Sequence, residues 1–520
     1  MTEDSRLATG SDLSPFLEDA AHYPGGHAAG IVFPRSVADV VDAVRMAPAV
    51  LPIGAQSSLT GGATPMGELL IATSKLSRIL ALTPERITVQ AGVTVAEMQQ
   101  ALRAVDAWFP PAPTFTGACA GGIVATNAAG AATFKYGSTR QWVEALSIVL
   151  ADGSVLEVQR GRQFASDGQL RFAALSGEYS VPVPRYRMPR VAKCSAGYYA
   201  AADMDAVDVF IGSEGTLGIL CEITFRVLAP APQLALVFVT CESERVGFEL
   251  VRAIREASLA TWTSNDPRGI NASAIEHMDR RSLEILREDG ADSKYNVRVP
   301  ADARLALLVQ LELPRDISAD VAYDEIAAAA SPSAPDTPLI RFCRLLDRFH
   351  VLDRAEVALP GETRRAEQLI GLREAVPAGV NQRVGLAKRT IDPGIAKTAG
   401  DMIVPFDRFA EMSRIYRDGF ERRGLDFAMW GHISDGNVHP NVIPRSLEDV
   451  IRGREAILEF GAAAARLGGS PLAEHGVGRN PVKQALLLQL YGESGIEDMR
   501  AVKRSLDPEW KLAPGVIFPR

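Results

Sequence analysis

The run Trp430–Ile443, WGHISDGNVHPNVI, and the later pair Glu474-His475 hold three of the chain's seven histidines. These residue types suit a divalent metal bound through nitrogen and oxygen. Asp435-Gly436 is a strong signal for a two-residue hairpin turn, because both central positions of a type I′ turn need positive φ. Folding the chain about that turn opposes Ser434 to Asn437, Ile433 to Val438 and His432 to His439, with Trp430 and Asn441 the next pair on the histidine face. Opposed Cβ atoms in an antiparallel pair lie roughly 4.5 to 5.5 Å apart, close enough for two imidazoles to share one ion. The same spacing also suits a cross-strand histidine pair that only hydrogen-bonds, with Glu474 a surface carboxylate.

Elements elsewhere in the chain must position these groups. At 520 residues the chain exceeds the ~250 to 300 at which single cores stop growing, so two or more domains are expected. With 23% charged residues and a net charge of -8, the composition is that of an enzyme and opposes nucleic acid or anionic membrane as a partner. The acidic N-terminus lacks a basic region followed by an apolar one, and no apolar run is long enough to span a bilayer, so the expectation is a cytoplasmic protein without an integral membrane segment. Five cysteines, at 119, 194, 221, 241 and 343, form no CxxC pair. A disulfide framework, a cysteine zinc site and an iron-sulfur cluster are therefore not expected.

From Pro34 to about Pro230 short strand-like runs alternate with turns and helical stretches, which predicts a loop-rich α+β domain. Residues 158–207, with VPVPRYRMPR at their centre, read as an irregular insertion over a surface and suggest a lid. From Leu234 the order is strand (LALVFVTC), helix, strand (RLALLVQLEL), helix, then a Ser/Pro-rich break and a second α/β layer ending in the histidine hairpin. Residues 447–505 read as amphipathic helices.

Two stretches are rich in glycine and hydroxyl groups: Pro52–Gly62, PIGAQSSLTGG, and Thr116–Gly137, TGACAGGIVATNAAGAATFKYG. Consecutive backbone N–H groups in such loops can bind a pyrophosphate without Lys or Arg. Neither stretch has the GxGxxG of a dinucleotide-binding turn or the GxxxxGK[ST] of a P-loop, so NAD and ATP are poorly supported. Tight backbone packing in an Ala/Gly-rich core is the competing reading of each loop. Phe210–Ile219, FIGSEGTLGI, is a third stretch of the same kind.

The order PIGAQSSLTGG, GGIVATNAAG, KYGSTR, GSEGTLGI, GHISDGNVHPN, EHGVG and LAPGVIFP resembles the flavoprotein dehydrogenases related to vanillyl-alcohol oxidase, in the branch with D-lactate, glycolate and D-2-hydroxyglutarate dehydrogenases. The resemblance implies an α+β fold: an N-terminal extension (1–27), a two-subdomain FAD-binding domain of the p-cresol methylhydroxylase (PCMH) type (28–230), a ferredoxin-like α/β cap domain with an antiparallel sheet for the substrate (231–445), and C-terminal helices (446–520) returning to the FAD domain. It further implies FAD held by Pro52, Gly54, Ala55, Gln56, Ser57, Ser58 and Thr60, by Gly117, Gly121, Gly122, Thr126, Asn127 and Gly130, and by Glu214, Gly215, Ile219 and Asn437. A divalent metal, often zinc in relatives, falls on His432, His439 and Glu474. His475 matches the catalytic base, Arg373 the arginine that grips a substrate carboxylate, and Asn441 a further polar contact.

The implied activity is oxidation of a D-2-hydroxy acid to a 2-oxo acid. The first loop has no histidine, so the histidyl-flavin bond some relatives make there cannot form and FAD is expected to be non-covalent. Cys119 reads as a small packing residue. Relatives that act on hydroxyglutarate place a lysine where this chain has Ala399, with Lys397 two residues earlier, and can carry a hydroxyl residue where it has Pro377; both departures argue against a second, distal carboxylate. Other readings of the motifs are a flavin transferase or synthase of the ether-lipid type and a flavin-binding subunit of a larger redox complex. The electron acceptor is left open among quinone, cytochrome, an electron-transfer flavoprotein and oxygen, and a homodimer is compatible with the reading.

Overall fold

A computed structural model describes residues 10–174 and 177–519. The first nine residues of the expected N-terminal extension, and residues 175 and 176 of the expected insertion, lie outside them. The chain divides into two compact units, one containing the residues up to Gly130, Gly137–Ala231 and Gly468 onward, the other Ala131–Tyr136 and Pro232–Leu467.

In the first unit, strands β1 (Gly30–Val32), β2 (Val50–Ile53) and β3 (Leu69–Ala72) form a parallel sheet with β3 central. These strands are apolar runs buried on both faces, as parallel strands usually are. A second sheet is antiparallel, in the order β4 (Ile79–Leu82), β5 (Arg86–Gln90), β10 (Ile219–Arg226), β6 (Val143–Val149), β7 (Val155–Gln159). Val32, Val44, Val50, Ile71, Val149 and Ile219 belong to one core that joins the two sheets. The helix Val95–Arg103 starts with a full capping box, Thr94 and Glu97 satisfying each other's backbone N–H. The tail is tied in beside β2: Val50 N donates to Lys511 O and Ala513 N to Val50 O. Lys503, fully buried, donates to Thr216 O and Leu512 O and pairs with Asp507.

The stretch expected to be a lid begins as a hairpin, β8 (Gln169–Ala174) with β9 (Gly177–Pro182). Its later part packs inward. Lys193 and Ser195 are buried, and Ser195 N donates to Leu472 O at 3.1 Å.

The second unit is built on an eight-stranded antiparallel sheet, in the order β14 (Ala355–Ala358), β11 (Gln233–Cys241), β13 (Leu305–Leu313), β12 (Ala272–Asp279), β17 (Phe427–His432), β18 (Asn437–Val442), β15 (Thr398–Ala399), with β16 (Met402–Ile403) also on β18. One face carries Phe238, Met278, Ala306, Leu308, Ala428 and Trp430 in a single core. Over it lies the long helix Thr363–Thr390, whose buried stripe Leu369, Leu372, Val376, Val380 and Val384 recurs at helical spacing. The helix Leu447–Arg466, which the sequence reading gave to the C-terminal segment, clusters with this unit.

The histidine hairpin departs from its expected register. Trp430, not His432, opposes His439, and Ala428, not Trp430, opposes Asn441. Asp435 closes a 3-10 turn, Ile433–Asp435, and only Gly436 takes positive φ (87°), so the connection is longer than a two-residue type I′ turn. The tip is held by Asp435 Oδ1 accepting from Asn437 N at 3.1 Å and by Gly436 N donating to Ile433 O at 3.1 Å. A Cβ on Gly436 would lie 2.1 Å from Val404 O, which restricts the position to glycine. The shift is two residues, and a two-residue shift returns every side chain to its original face.

Candidate active site

In the first unit the glycine-rich stretches, widely separated in sequence, close into a ring. A Cβ built on Gly54 would lie 3.2 Å from Cys119 Cβ, joining the first loop to the second. Glu214 N donates to Ala125 O at 2.8 Å, joining the second to the third. The third is joined to the run after His475 by Glu214, whose two carboxylate oxygens accept from Val477 N and Gly478 N, both at 2.8 Å. Arg479 N donates to Thr60 O at 3.0 Å and returns to the first loop. Pro52 packs on Gly215, where a Cβ would meet its ring at 2.7 Å.

Gln56, Asn127 and Glu214, one in each loop, have left-handed backbones with φ of 50°, 48° and 49°. A left-handed turn can aim successive N–H groups to one side, as in an anion nest; Gln56 is placed for this, whereas Asn127 N donates to Val124 O and Glu214 N to Ala125 O. Ala55 and Gly122 are exposed, and a Cβ on Gly122 would meet nothing within 4 Å, so the second loop has an open side where Ser57, Ser58 and the loop backbones can meet a ligand. This arrangement fits the pyrophosphate of a dinucleotide such as FAD.

Several of the expected residues also have partners within the protein. Ile219 is 1% exposed in the core of β10. Gly117 and Gly130 admit close neighbours, a Phe115 ring and Ala112 O. Thr126 Oγ1 donates to Gly122 O, and Asn127 Oδ1 accepts from Arg140 N. Glu214 spends its carboxylate on backbone N–H groups; burial pushes its pKa up to about 7 against those two bonds. Cys119 is buried against Gly54, as a packing residue would be.

His475 follows Glu474 on the tethered run. Its Nε2 lies 3.4 Å from Glu474 Oε1, and its side chain keeps 27% of its surface exposed while Glu474 keeps 8%. The sequence offered no reason to connect Lys193 with this run, yet its ammonium donates to Glu474 Oε2 at 2.7 Å.

In the second unit the sheet register gathers a polar group onto the face that bears Trp430. Asn437, His439 and Asn441 alternate onto it from β18. His432 pairs with Glu276 on β12. The rings of His432 and His439 meet edge to face with centroids 6.0 Å apart. His432 Nδ1 is hydrogen-bonded to Glu276 Oε1, and Glu276 Oε2 accepts from Arg373 Nη2 at 2.7 Å and Nε at 2.9 Å. Arg373 Nη1 also donates to Glu374 at 2.9 Å. Burial raises the pKa of Glu276, but Arg373 and then His432 outweigh it and hold the carboxyl well below the usual range.

Asp401 Oδ1 lies 3.6 Å from His439 Nδ1 and accepts from Asn437 Nδ2 at 3.4 Å. Asn441 Nδ2 donates to His439 O at 2.7 Å, while the buried Oδ1 atoms of Asn437 and Asn441 have no hydrogen-bond partner among the described residues. A histidine with one ring nitrogen on a carboxylate and buried acceptors left unpaired are features of a site awaiting a cation or a polar ligand. Glu276 and Asp401 were not singled out from the sequence. Glu276 lies within ASAIEHMD, a strand buried at every position, and an acid inside such a strand is the signal that would have found it.

Two family models match the chain: an FAD binding domain over residues 28–159, and the C-terminal domain of FAD linked oxidases over residues 242–517, more than half of the chain. Among curated proteins it is 27% identical to a D-2-hydroxyglutarate dehydrogenase of Xanthomonas citri pv. viticola, covering 94% of this chain and 89% of the relative. It is 26% identical to the glycolate oxidase subunit GlcD of Bacillus subtilis (91% and 84% covered) and 26% to a D-lactate dehydrogenase of Archaeoglobus fulgidus (89% and 84%). Among solved structures, p-cresol methylhydroxylase with bound substrate matches with a TM-score of 0.64 at 14% identity, covering 99% of this chain and 93% of that one. Alkyldihydroxyacetonephosphate synthase matches with a TM-score of 0.56, also at 14% identity, over 94% and 76%. At that identity the two structures speak for the α+β fold alone. Among the described residues no helix is long and apolar enough to cross a membrane. The chain belongs to the FAD linked oxidases and is an FAD-dependent oxidoreductase.

Proposed function

We propose that the protein is an FAD-dependent dehydrogenase that oxidises a D-2-hydroxy acid to the 2-oxo acid with the help of a divalent metal, which we take to be zinc. The observation that carries the reading is the buried polar group His432, His439, Asn437, Asn441, Glu276 and Asp401 on an otherwise apolar sheet face, in a chain whose named relatives act on such acids. Burying that many polar atoms is costly unless a ligand completes their bonding.

In this reading the ring of loops around Gly54, Gly122 and Glu214 holds the FAD, without a covalent bond. His432, His439 and Glu474 hold the metal, and Asp401 is a further donor beside His439. When bound, FAD would supply a hydride acceptor for C2 of the substrate, and a divalent ion would supply the positive charge that makes the substrate hydroxyl more acidic. His475 takes the hydroxyl proton on its unprotonated ring nitrogen, so C2 loses a hydride, the oxygen loses a proton and a carbonyl results. Glu276 fixes the ring of His432, and Arg373, held rigidly by Glu276, supplies positive charge for the substrate carboxylate. The amide of Asn441 completes the polar contacts. Electrons leave the reduced protein to an acceptor that is a separate molecule.

The test is anaerobic bleaching of the visible flavin band by a panel of D- and L-2-hydroxy acids, before and after chelation. Rapid bleaching by D-isomers that chelation abolishes is the expected result. Bound flavin that no hydroxy acid reduces would overturn the proposal.

A further inference from the structure

Lys193 is a buried cation whose place nothing in the reaction so far requires. Its side chain is 0% exposed, and its Nζ donates to Glu474 Oε2 at 2.7 Å. The contact is one of a series along two stretches that run side by side. Cys194 Sγ donates to Ser470 Oγ at 3.5 Å, Ser195 N to Leu472 O at 3.1 Å, and Gly476 N to Ser195 Oγ at 3.1 Å. Lys193 and Ser195 thus hold the run on either side of His475, and Glu214 takes the next two N–H groups, of Val477 and Gly478. Taking an ammonium and a carboxylate out of water is expensive, and a residue whose task was only to fill space would not need a charge here. The ammonium occupies one oxygen of Glu474, and the other, Oε1, is the one 3.4 Å from His475 Nε2.

We propose that Lys193 is a positioning residue: by holding Oε2 it orients Glu474 so that Oε1 is the oxygen offered to the divalent ion, beside His475. This rests on the metal-assisted reading above. It also changes the role of the segment before helix Ala206–Phe210 from a cover to a strut for the Glu474-His475 run.

The experiment uses the FAD-loaded full chain, stripped of metal with a chelator and titrated with Zn²⁺ or Mn²⁺ alone. Wild type, Lys193→Met, Lys193→Arg, Glu474→Gln and the double variant Lys193→Met/Glu474→Gln are compared for metal affinity, FAD content, kcat and KM. An outer partner of a metal ligand is worth roughly 10- to 100-fold in affinity, so Lys193→Met should bind metal that much more weakly at unchanged FAD content, with kcat falling more than KM rises. Lys193→Arg should recover part of the loss. If Lys193→Met proves too unstable to retain FAD, the neutral double variant decides: a residue acting through Glu474 leaves the double variant no worse than Glu474→Gln, whereas two independent, additive losses overturn the proposal. Metal affinity and kcat within about twofold of wild type in Lys193→Met would also overturn it, the scale of a contact outside the metal's support. A wild type that takes up no metal would defeat the metal-assisted reading and this inference together; a wild type that binds metal beside an equally competent Lys193→Met defeats this inference alone.

Discussion

Replacing Glu276 with alanine should be among the most destabilising single changes in the second unit. The carboxylate is 6% exposed and takes two bonds from Arg373, whose side chain is 12% exposed, and one from His432, at 4%. Deleting it leaves the guanidinium facing Glu374, which is 43% exposed and therefore a weak partner. Summing three charge-assisted bonds at ~1.5 to 3 kcal/mol each would overcount, because they share one carboxylate. Breaking a buried ion pair by removing one partner costs about 3–5 kcal/mol, and that is the expected loss. For a unit of this size each kcal/mol moves Tm by about 2–4 °C, which makes the shift about 6 to 20 °C. Since the carboxyl titrates below its usual range in the folded protein, its contribution is complete above about pH 4 and is lost only as pH falls further. The assay is urea unfolding at pH 7 followed by tryptophan fluorescence, with Trp430 a reporter inside the same core. A loss below about 1 kcal/mol, the value of an exposed pair, would refute the reasoning.

Other consequences are checked as directly. Burial pushes the Asp279 carboxyl up to about 6 although Ser282 bonds to it, so between about pH 4 and 6 the folded state keeps a proton that the unfolded chain has released. That contribution is present below about pH 4 and is lost as pH rises through 6; Asp279→Asn should flatten this part of the profile, and parallel urea midpoints for both proteins from pH 4 to 7 would contradict the assignment. Gly436→Ala combines φ of 87° with a Cβ 2.1 Å from Val404 O, and should cost about 2 kcal/mol or more while loosening the hairpin tip; a midpoint unchanged in urea would argue against the observed turn. His475→Ala should slow flavin reduction by a D-2-hydroxy acid about 10²-fold or more without changing FAD content, and equal stopped-flow rates would remove it as the base.

Much of the chemistry was legible because it is written in local sequence. Glycines and hydroxyls concentrated in three loops, and histidines flanking a strand turn, stand out whatever the fold around them, since backbone approach and ligand type are set by the residue itself. The long apolar runs LALVFVTC and RLALLVQLEL likewise became strands of the second unit's sheet, and LREAVPAGV a part of its covering helix. The hairpin's faces survived the error in its register because the side-chain period is two.

What the sequence by itself determined was therefore the kind of atoms offered: backbone amides in glycine-rich loops, imidazoles and carboxylates near a strand turn, and strands and helices to carry them. Which partner each atom has was decided only by tertiary structure. Glu276 reaches His432 and Arg373 from 156 and 97 residues away, Lys193 reaches Glu474 from 281, and Glu214 reaches Val477 from 263. Such pairings depend on sheet order and on where a loop returns, and no local propensity encodes either. A buried charge must nevertheless find a partner when the core closes around it, and that requirement turned an acid in an apolar strand and a lysine in an irregular loop into supports for the site.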